Sequence, residues 1–274
     1  MKNLDYNTIK SFGDEWTKFN QKNIDEIELK KIFNSYFKIF PWHKIKENSE
    51  GFDAGSGSGR WAKFVAPRVK VLNCIEPSKA INVAKKNLIN LKNIKYYKST
   101  IKDLKIKSES QDFGYILGVL HHITDTESAL KSCVKILKKG SPLLIYIYYN
   151  FENRPFWFKL IWQISNIFRK LIFRLPRKIK FFICDIIAVL VYYPLSKTAL
   201  ILEKIHFPVK NFPLRAYRDK SFYTMRTDAR DRFGTPIEKR FSKKQVKDLM
   251  KKCGLEKIRF KSGNPYWLSI GYKK

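Results

Sequence analysis

The chain has 274 residues, 44% of them hydrophobic, enough to bury a proper core in one large domain or a domain with a sizeable elaboration. Lys and Arg number 55 against 24 Asp and Glu, a formal charge of +31 that favours a polyanion, from nucleic acid to an anionic membrane, yet the lysines spread singly along the chain as on solvated faces. Cys74, Cys133, Cys184 and Cys253 lie far apart, without C-x-x-C spacing or a histidine at ligand distance, so neither a disulfide framework nor a zinc site is indicated and a reduced cytoplasm fits.

Residues 1–49 read as an N-terminal helical cap, and the opening Met1 to Asp5 lacks the apolar core of a signal peptide. Phe52-Asp53-Ala54-Gly55-Ser56-Gly57-Ser58-Gly59-Arg60 then reads as a strand end and a turn, with Trp61, Ala62, Phe64 and Val65 opening a helix. Alternate glycines permit positive φ and leave no Cβ between the main chain and a ligand. A dinucleotide fingerprint wants its third glycine or an alanine where Arg60 stands, and an ordinary Gly/Ser loop is the bland alternative.

Val69 to Ile75 reads as a buried strand ending at Glu76-Pro77, followed by a helix carrying Ala80, Val83, Ala84 and Leu88. Strands at Ile94–Tyr97 and Phe113–Leu117, a helix through Ala129 to Leu137 stopped by Lys139-Gly140, and a strand from Pro142 to Tyr149 continue the alternation. Such alternation means a parallel sheet with helices on both faces. Residues 50–150 are thus the cofactor-binding core.

Residues 151–241 are an insertion that the sheet does not need. Phe156 to Leu175 is amphipathic, with Trp157, Leu160, Ile164, Ile167, Leu171 and Leu175 opposite Lys159, Gln163, Asn166, Lys170 and Arg174. Prolines separate it from a second helix, about 180–193, and a third, about 195–205. The longest apolar stretch, Phe181 to Leu195, is interrupted by Asp185 and falls short of the roughly 20 residues that span a bilayer, so no transmembrane helix is expected. Residues 242–274 supply a closing helix, Lys243 to Cys253, and two strands near 256–261 and 266–272 that should pair antiparallel. A single domain with a helical lid is expected.

Asp53 followed by Gly55, Gly57 and Gly59 resembles motif I of the class I S-adenosylmethionine-dependent methyltransferases. Glu76, 23 residues after Asp53, falls where a carboxylate accepts both ribose hydroxyls, and Gln111 through Asp125 resembles motif IV of the small-molecule branch, which contains quinone-biosynthesis methyltransferases. Phe12-Gly13-Asp14-Glu15-Trp16 is similar to a segment found ahead of motif I in some members. The resemblance implies a Rossmann-like α/β fold: a seven-stranded, mostly parallel sheet with an antiparallel final hairpin and a helical insertion between strands five and six. It also implies S-adenosyl-L-methionine as cofactor, held by Asp53, Gly55, Ser56, Gly57, Gly59, Arg60, Glu76, Pro77, Ile101, Asp103, Gly118, Val119 and Trp16. Family members usually place Asp or Asn at the adenine position where this chain has Thr100; Asp103 or the backbone at Ile101 can take that contact, and a capping role for Asp103 is equally open. Trp16 and Trp61 offer rings to a sulfonium or serve as plain hydrophobic anchors.

His121 and His122 are the candidate catalytic residues, able to take a proton from an acceptor, with packing as the alternative. Tyr217, Arg218, Tyr223 and Arg232 are candidate acceptor contacts in a stretch that reads equally as a salt-bridged loop. The expected function is methyl transfer to a small-molecule or lipid- or sugar-linked acceptor by a cytoplasmic enzyme. An RNA methyltransferase is the alternative, weakened because Gly118-Val119-Leu120-His121 stands where base-amino methylases carry Asp/Asn-Pro-Pro-aromatic, and Asn264-Pro265-Tyr266 is misplaced for that role. A further alternative is a non-catalytic peripheral membrane protein, with Arg169, Lys170, Arg174, Arg177, Lys178 and Lys180 on anionic lipid through residues 156–205; the same helices also suit a homodimer interface.

Overall fold

A computed structural model describes residues 6–21, 23–261 and 266–274, so the Asn264-Pro265 pair lies outside the described residues. The chain opens with helices α1 (Tyr6–Lys18) and α2 (Glu26–Tyr36). It continues through β1 (Glu50–Ala54), α3 (Ala62–Val65), β2 (Val71–Ile75), α4 (Ala80–Asn87), β3 (Ile94–Tyr97) and β4 (Phe113–Leu117). Then come α5 (Thr126–Ile136), β5 (Pro142–Ile147), α6 (Phe156–Ile172), α7 (Arg177–Ile187) and α8 (Tyr193–Lys204). The last elements are α9 (Phe222–Gly234), α10 (Lys243–Lys252), β6 (Leu255–Phe260) and β7 (Trp267–Lys273).

The strands form one seven-stranded sheet in the order β3-β2-β1-β4-β5-β7-β6, parallel except for β7, which runs antiparallel to both β5 and β6. This is the expected Rossmann-like arrangement, and its order reverses between β1 and β4, where open sheets of this kind bind ligands beyond the carboxyl ends of their strands. Two Phe–Gly pairs fix that junction. Gly51 pairs with Phe113 and Phe52 with Gly114, and a Cβ on either glycine would fall 2.2 Å from the ring of its partner. Each ring therefore lies flat over a bare backbone, fully buried, which contributes about 2 kcal/mol per ring. The helix after the glycine turn is shorter than its pattern suggests, because Pro67 draws residues 66–68 into a tighter turn.

The chain divides into two compact units, one of Met1–Gln21, Lys31–Asn150 and Lys239–Lys274, the other of Lys22–Lys30 and Phe151–Glu238. Apart from residues 22–30, the second unit is the insertion expected from sequence, bounded here at 151 and 238. Residues 22–30, assigned to the N-terminal cap, belong with the insertion because the Glu28 carboxylate accepts the Thr224 hydroxyl at 2.7 Å and the Ser221 N–H at 3.1 Å, holding the start of α9. The core of this second unit gathers Ile172, Cys184, Ala188, Tyr192, Met225, Ala229 and Phe233. Asp185 anchors α7 to α9, accepting two bonds from Arg226, both 2.7 Å, and one from Arg230 at 2.5 Å.

Two further readings are corrected here. The helices expected near 180–193 and 195–205 are one continuous helix, Arg177–Lys204, joined by a π-type turn at Ala188–Tyr192. Pro194 does not break it: it follows directly on the π-type turn, where the regular i→i−4 ladder is already interrupted. At 28 residues and with a mean hydropathy of 1.8 in its most apolar window, this helix is long and apolar enough to cross a membrane by length and composition. The sequence-based expectation of a span too short therefore does not hold.

Candidate active site

The turn after β1 is held by backbone bonds before any side chain acts. Gly55 and Ser56 both donate to the Ile75 carbonyl at the end of β2, at 2.8 and 3.0 Å, and Gly59 donates to Ser56 at 2.8 Å. Gly55, Gly57 and Gly59 have φ of +79°, +52° and +79°, the left-handed region that a side chain strains to enter. A Cβ at Gly55 would fall 2.3 Å from Val119 Cγ2, so the residue after Gly118 on the β4 side packs directly on the turn.

Glu76 ties the turn to β2. Its Oε2 accepts the Gly57 N–H at 3.1 Å and its Oε1 accepts the Ser78 N–H at 2.9 Å. Burial raises its pKa, while the Ser78 and Gly57 bonds partly offset that rise. Asp53, 1% exposed, is pushed up from 3.8 to about 8, chiefly by burial. The Tyr115 hydroxyl beside it lowers the value, the Glu76 charge raises it and the Arg60 charge lowers it again. Neither Asp53 Oδ2 nor Tyr115 Oη completes a hydrogen bond of good geometry, and the buried Ser58 Oγ has no partner.

Helix α1 lies over this turn. Gly13 packs on Ser78 and Lys79, Asp14 pairs with Lys79 at 2.5 Å, and Trp16 Nε1 would be 3.1 Å from a Cβ on Gly57. The Arg60 guanidinium sits 4.8 Å from the Trp16 ring centre and 4.4 Å from that of Trp61. Both indoles are therefore engaged by a protein cation, which is their observed role.

Beside Pro77 opens a cavity of about 450 Å³ lined by Tyr6, Ile9, Lys98, Ser99, Thr100 and Asp103. Ile101 is buried next to it, and the Thr100 hydroxyl donates to the Asp103 side chain at 2.5 Å at the cavity wall, a side-chain pair and not a helix cap. On the other side, Gly118 adopts φ +80° and donates to the Tyr146 carbonyl at 3.2 Å. His121 stacks on Tyr148 at 3.7 Å and 21°, His122 meets Phe12 edge-on at 4.9 Å, and Tyr146 continues the wall toward Tyr36 and Tyr266. His121 is fully buried, and burial, then the charges of His122 and Arg240, hold its pKa well below 6.5.

The candidates on both sides of the β1/β4 junction, from Trp16 through Asp53, the glycines, Glu76, Pro77, Ile101 and Asp103 to Gly118, Val119, His121 and His122, thus gather at the carboxyl ends of the strands. Tyr217, Arg218, Tyr223 and Arg232 do not belong to this unit. In the helical unit Arg218 pairs with Glu203, Arg232 pairs with Glu238, Tyr217 meets Tyr192 at 5.3 Å, and the Tyr223 carbonyl accepts the Thr227 hydroxyl. The salt-bridged alternative describes them. Tyr36, Tyr146, Tyr148 and Tyr266 are the residues that sequence reasoning missed; the spacing of Tyr146 and Tyr148 at a strand end was the available signal.

Residues 52–145 match the methyltransferase domain family. No curated protein matches the chain. Among solved structures, an S-adenosylmethionine-dependent methyltransferase from Thermotoga maritima is similar at 18% identity, over 96% of this chain and 100% of that one, with a TM-score of 0.48. The protein held in complex with the Haloferax volcanii Trm112 methyltransferase activator is similar at 12% identity, over 89% and 95%, with a TM-score of 0.50. A methyltransferase from Aquifex aeolicus follows at 14%, over 91% and 98%, with a TM-score of 0.48. At 12% identity the likeness to the Haloferax volcanii complex is one of fold.

Proposed function

We propose that the chain is a class I S-adenosylmethionine-dependent methyltransferase whose acceptor is a small molecule or a lipid- or sugar-linked precursor, a reading supported by the methyltransferase-domain match over residues 52–145. The residues present fit the cofactor: a glycine turn that a Cβ would fill, a buried carboxylate at the end of β2, and an open cavity beside Pro77. Glu76 would hold the ribose, since each oxygen keeps acceptor capacity beyond its one backbone bond. Pro77, Ile101 and the Thr100–Asp103 wall would take the adenine. S-adenosyl-L-methionine supplies a methyl group already activated on a sulfonium, so the displacement depends on alignment and exclusion of water more than on a strong base.

The observation that carries the acceptor class is the stack of His121 on Tyr148 beside Gly118. Together with Tyr146 it makes an aromatic wall suited to a compact or partly apolar acceptor. His121 acts as a neutral positioning ring, because burial disfavours its imidazolium. His122, next to it and against Phe12, is the residue proposed to receive a proton from the acceptor. Incubating the enzyme with methyl-labelled cofactor and fractionated cell extract tests this reading. Label is expected in small-molecule or organic-soluble fractions; label confined to nuclease-sensitive material overturns it.

A further inference from the structure

In α6 the apolar stripe faces outward. Leu160, Ile164, Ile167 and Leu171 are exposed, Ile167 by 61%, while the buried residues of that helix are Arg169 and Ile172. Arg169 is turned inward because its guanidinium donates to the Thr235 and Pro236 carbonyls, at 2.8 and 3.0 Å, and to the Asn166 side chain at 2.7 Å. The continuous helix Arg177–Lys204 behaves likewise. Phe181, Cys184, Ala188, Tyr192, Ser196 and Ala199 make its buried stripe, whereas Phe182 is 66% and Leu190 68% exposed. Among the described residues, all but three of the exposed large apolar side chains lie between Phe156 and Phe222. So much outward apolar surface marks an interaction face.

The charge around it selects the occupant. From Phe156 to Lys210 the sequence carries ten Lys and Arg but only Asp185 and Glu203 as acids. Both acids point into ion pairs of the unit, Asp185 with Arg226 and Arg230, and Glu203 with Arg215 and Arg218. Lys159, Lys170, Arg174, Lys178 and Lys204 are exposed along the same helices as the apolar side chains. We infer that the helical unit docks in the plane of an anionic lipid bilayer, its exposed apolar side chains entering the acyl boundary and its lysines and arginines meeting lipid phosphates. The long helix does not span, because its inner side is anchored through Asp185 to the charged helix α9. This inference is independent of which acceptor is methylated.

The test is flotation of the full-length protein with sealed vesicles of phosphatidylcholine, alone or with about 30% phosphatidylglycerol, at about 0.15 M salt. The wild type is expected to float with the anionic vesicles and at least about tenfold less with the neutral ones. Ile167→Asp/Leu171→Asp alters exposed positions and is expected to lose flotation while keeping its circular dichroism and melting transition. Lys170→Glu/Arg174→Glu/Lys178→Glu, which leaves the apolar face intact, is expected to lose the preference for anionic lipid. Single cysteines at Lys178→Cys and Lys204→Cys should both react with an impermeant maleimide added outside, as the four native cysteines are buried. Absence of flotation, flotation undiminished in both sets of variants, or protection of one helix end would overturn the inference. So would a dimer that Ile167→Asp/Leu171→Asp dissociates in a protein that ignores vesicles.

Discussion

Glu76 Oε2 accepts the N–H of Gly57 at 3.1 Å, so the carboxylate at the end of β2 and the turn after β1 form one rigid piece. A residue positioned this way acts twice, holding the glycine turn and presenting its remaining lone pairs to a ligand. Removing it separates the two roles. Glu76→Gln keeps the shape and one of the two accepted N–H bonds and is expected to weaken cofactor binding by about tenfold, whereas Glu76→Ala orphans both backbone N–H groups and costs about 1–3 kcal/mol of stability. Titration calorimetry and thermal melts of the pair distinguish these outcomes; identical binding by all three proteins would remove Glu76 from the site.

Gly55 and Gly140 share a left-handed backbone, φ +79° and +74°, but differ in surroundings. A Cβ at Gly55 collides with Val119, while nothing lies within 4 Å of one at Gly140. Gly140→Ala should therefore cost only the conformational term, about 1–2 kcal/mol, and leave cofactor binding unchanged. Gly55→Ala should cost about 1–3 kcal/mol more from the collision and abolish binding. Equal melting points for the two variants would show that Val119 does not pack on the turn.

Asp53 gives stability a pH dependence of definite sign. Its carboxyl titrates near 8 when folded, against an ordinary 3.8, so the folded protein holds a proton that the unfolded chain releases. That contribution is full below 3.8, falls as pH rises and is lost on passing about 8. Asp53→Asn lacks it. In urea titrations of ligand-free protein, the variant should gain on wild type steadily across this window and the difference should level above it. A constant difference would mean that Asp53 ionises normally.

His121 is expected to be neutral across the working range, since burial and neighbouring positive charge disfavour its protonation. His121→Gln should lower kcat by less than about tenfold through loss of the stack on Tyr148, with the pH profile of kcat unchanged. Disappearance of an acidic limb in that profile would make His121 the base.

The sheet and its cradle were legible because their signals are local. Alternate glycines at 55, 57 and 59 require a turn, and a carboxylate directly after a buried strand has few structural uses. Amphipathicity was a weaker guide. The period in Phe156 to Leu175 established two faces, but which of them meets protein depended on Arg169 finding the Thr235 and Pro236 carbonyls, a contact 66 residues away. Glu28 capping α9 is still more remote, and no pattern in residues 22–30 announces it. Pro194 reads as a helix end, but it sits inside the continuous helix directly after the π-type turn at Ala188–Tyr192, an irregularity that no local sequence pattern announces. The rings at Tyr36, Tyr146, Tyr148 and Tyr266 were missed since tyrosine at a strand end reads equally well as core.

The most direct measurement is calorimetric titration of the wild-type protein with S-adenosylmethionine and S-adenosylhomocysteine, repeated on Glu76→Ala. Saturable binding of both ligands by the wild type, weakened at least about tenfold in the variant, is the predicted result. No binding of either ligand to the folded wild type would contradict the account at its centre.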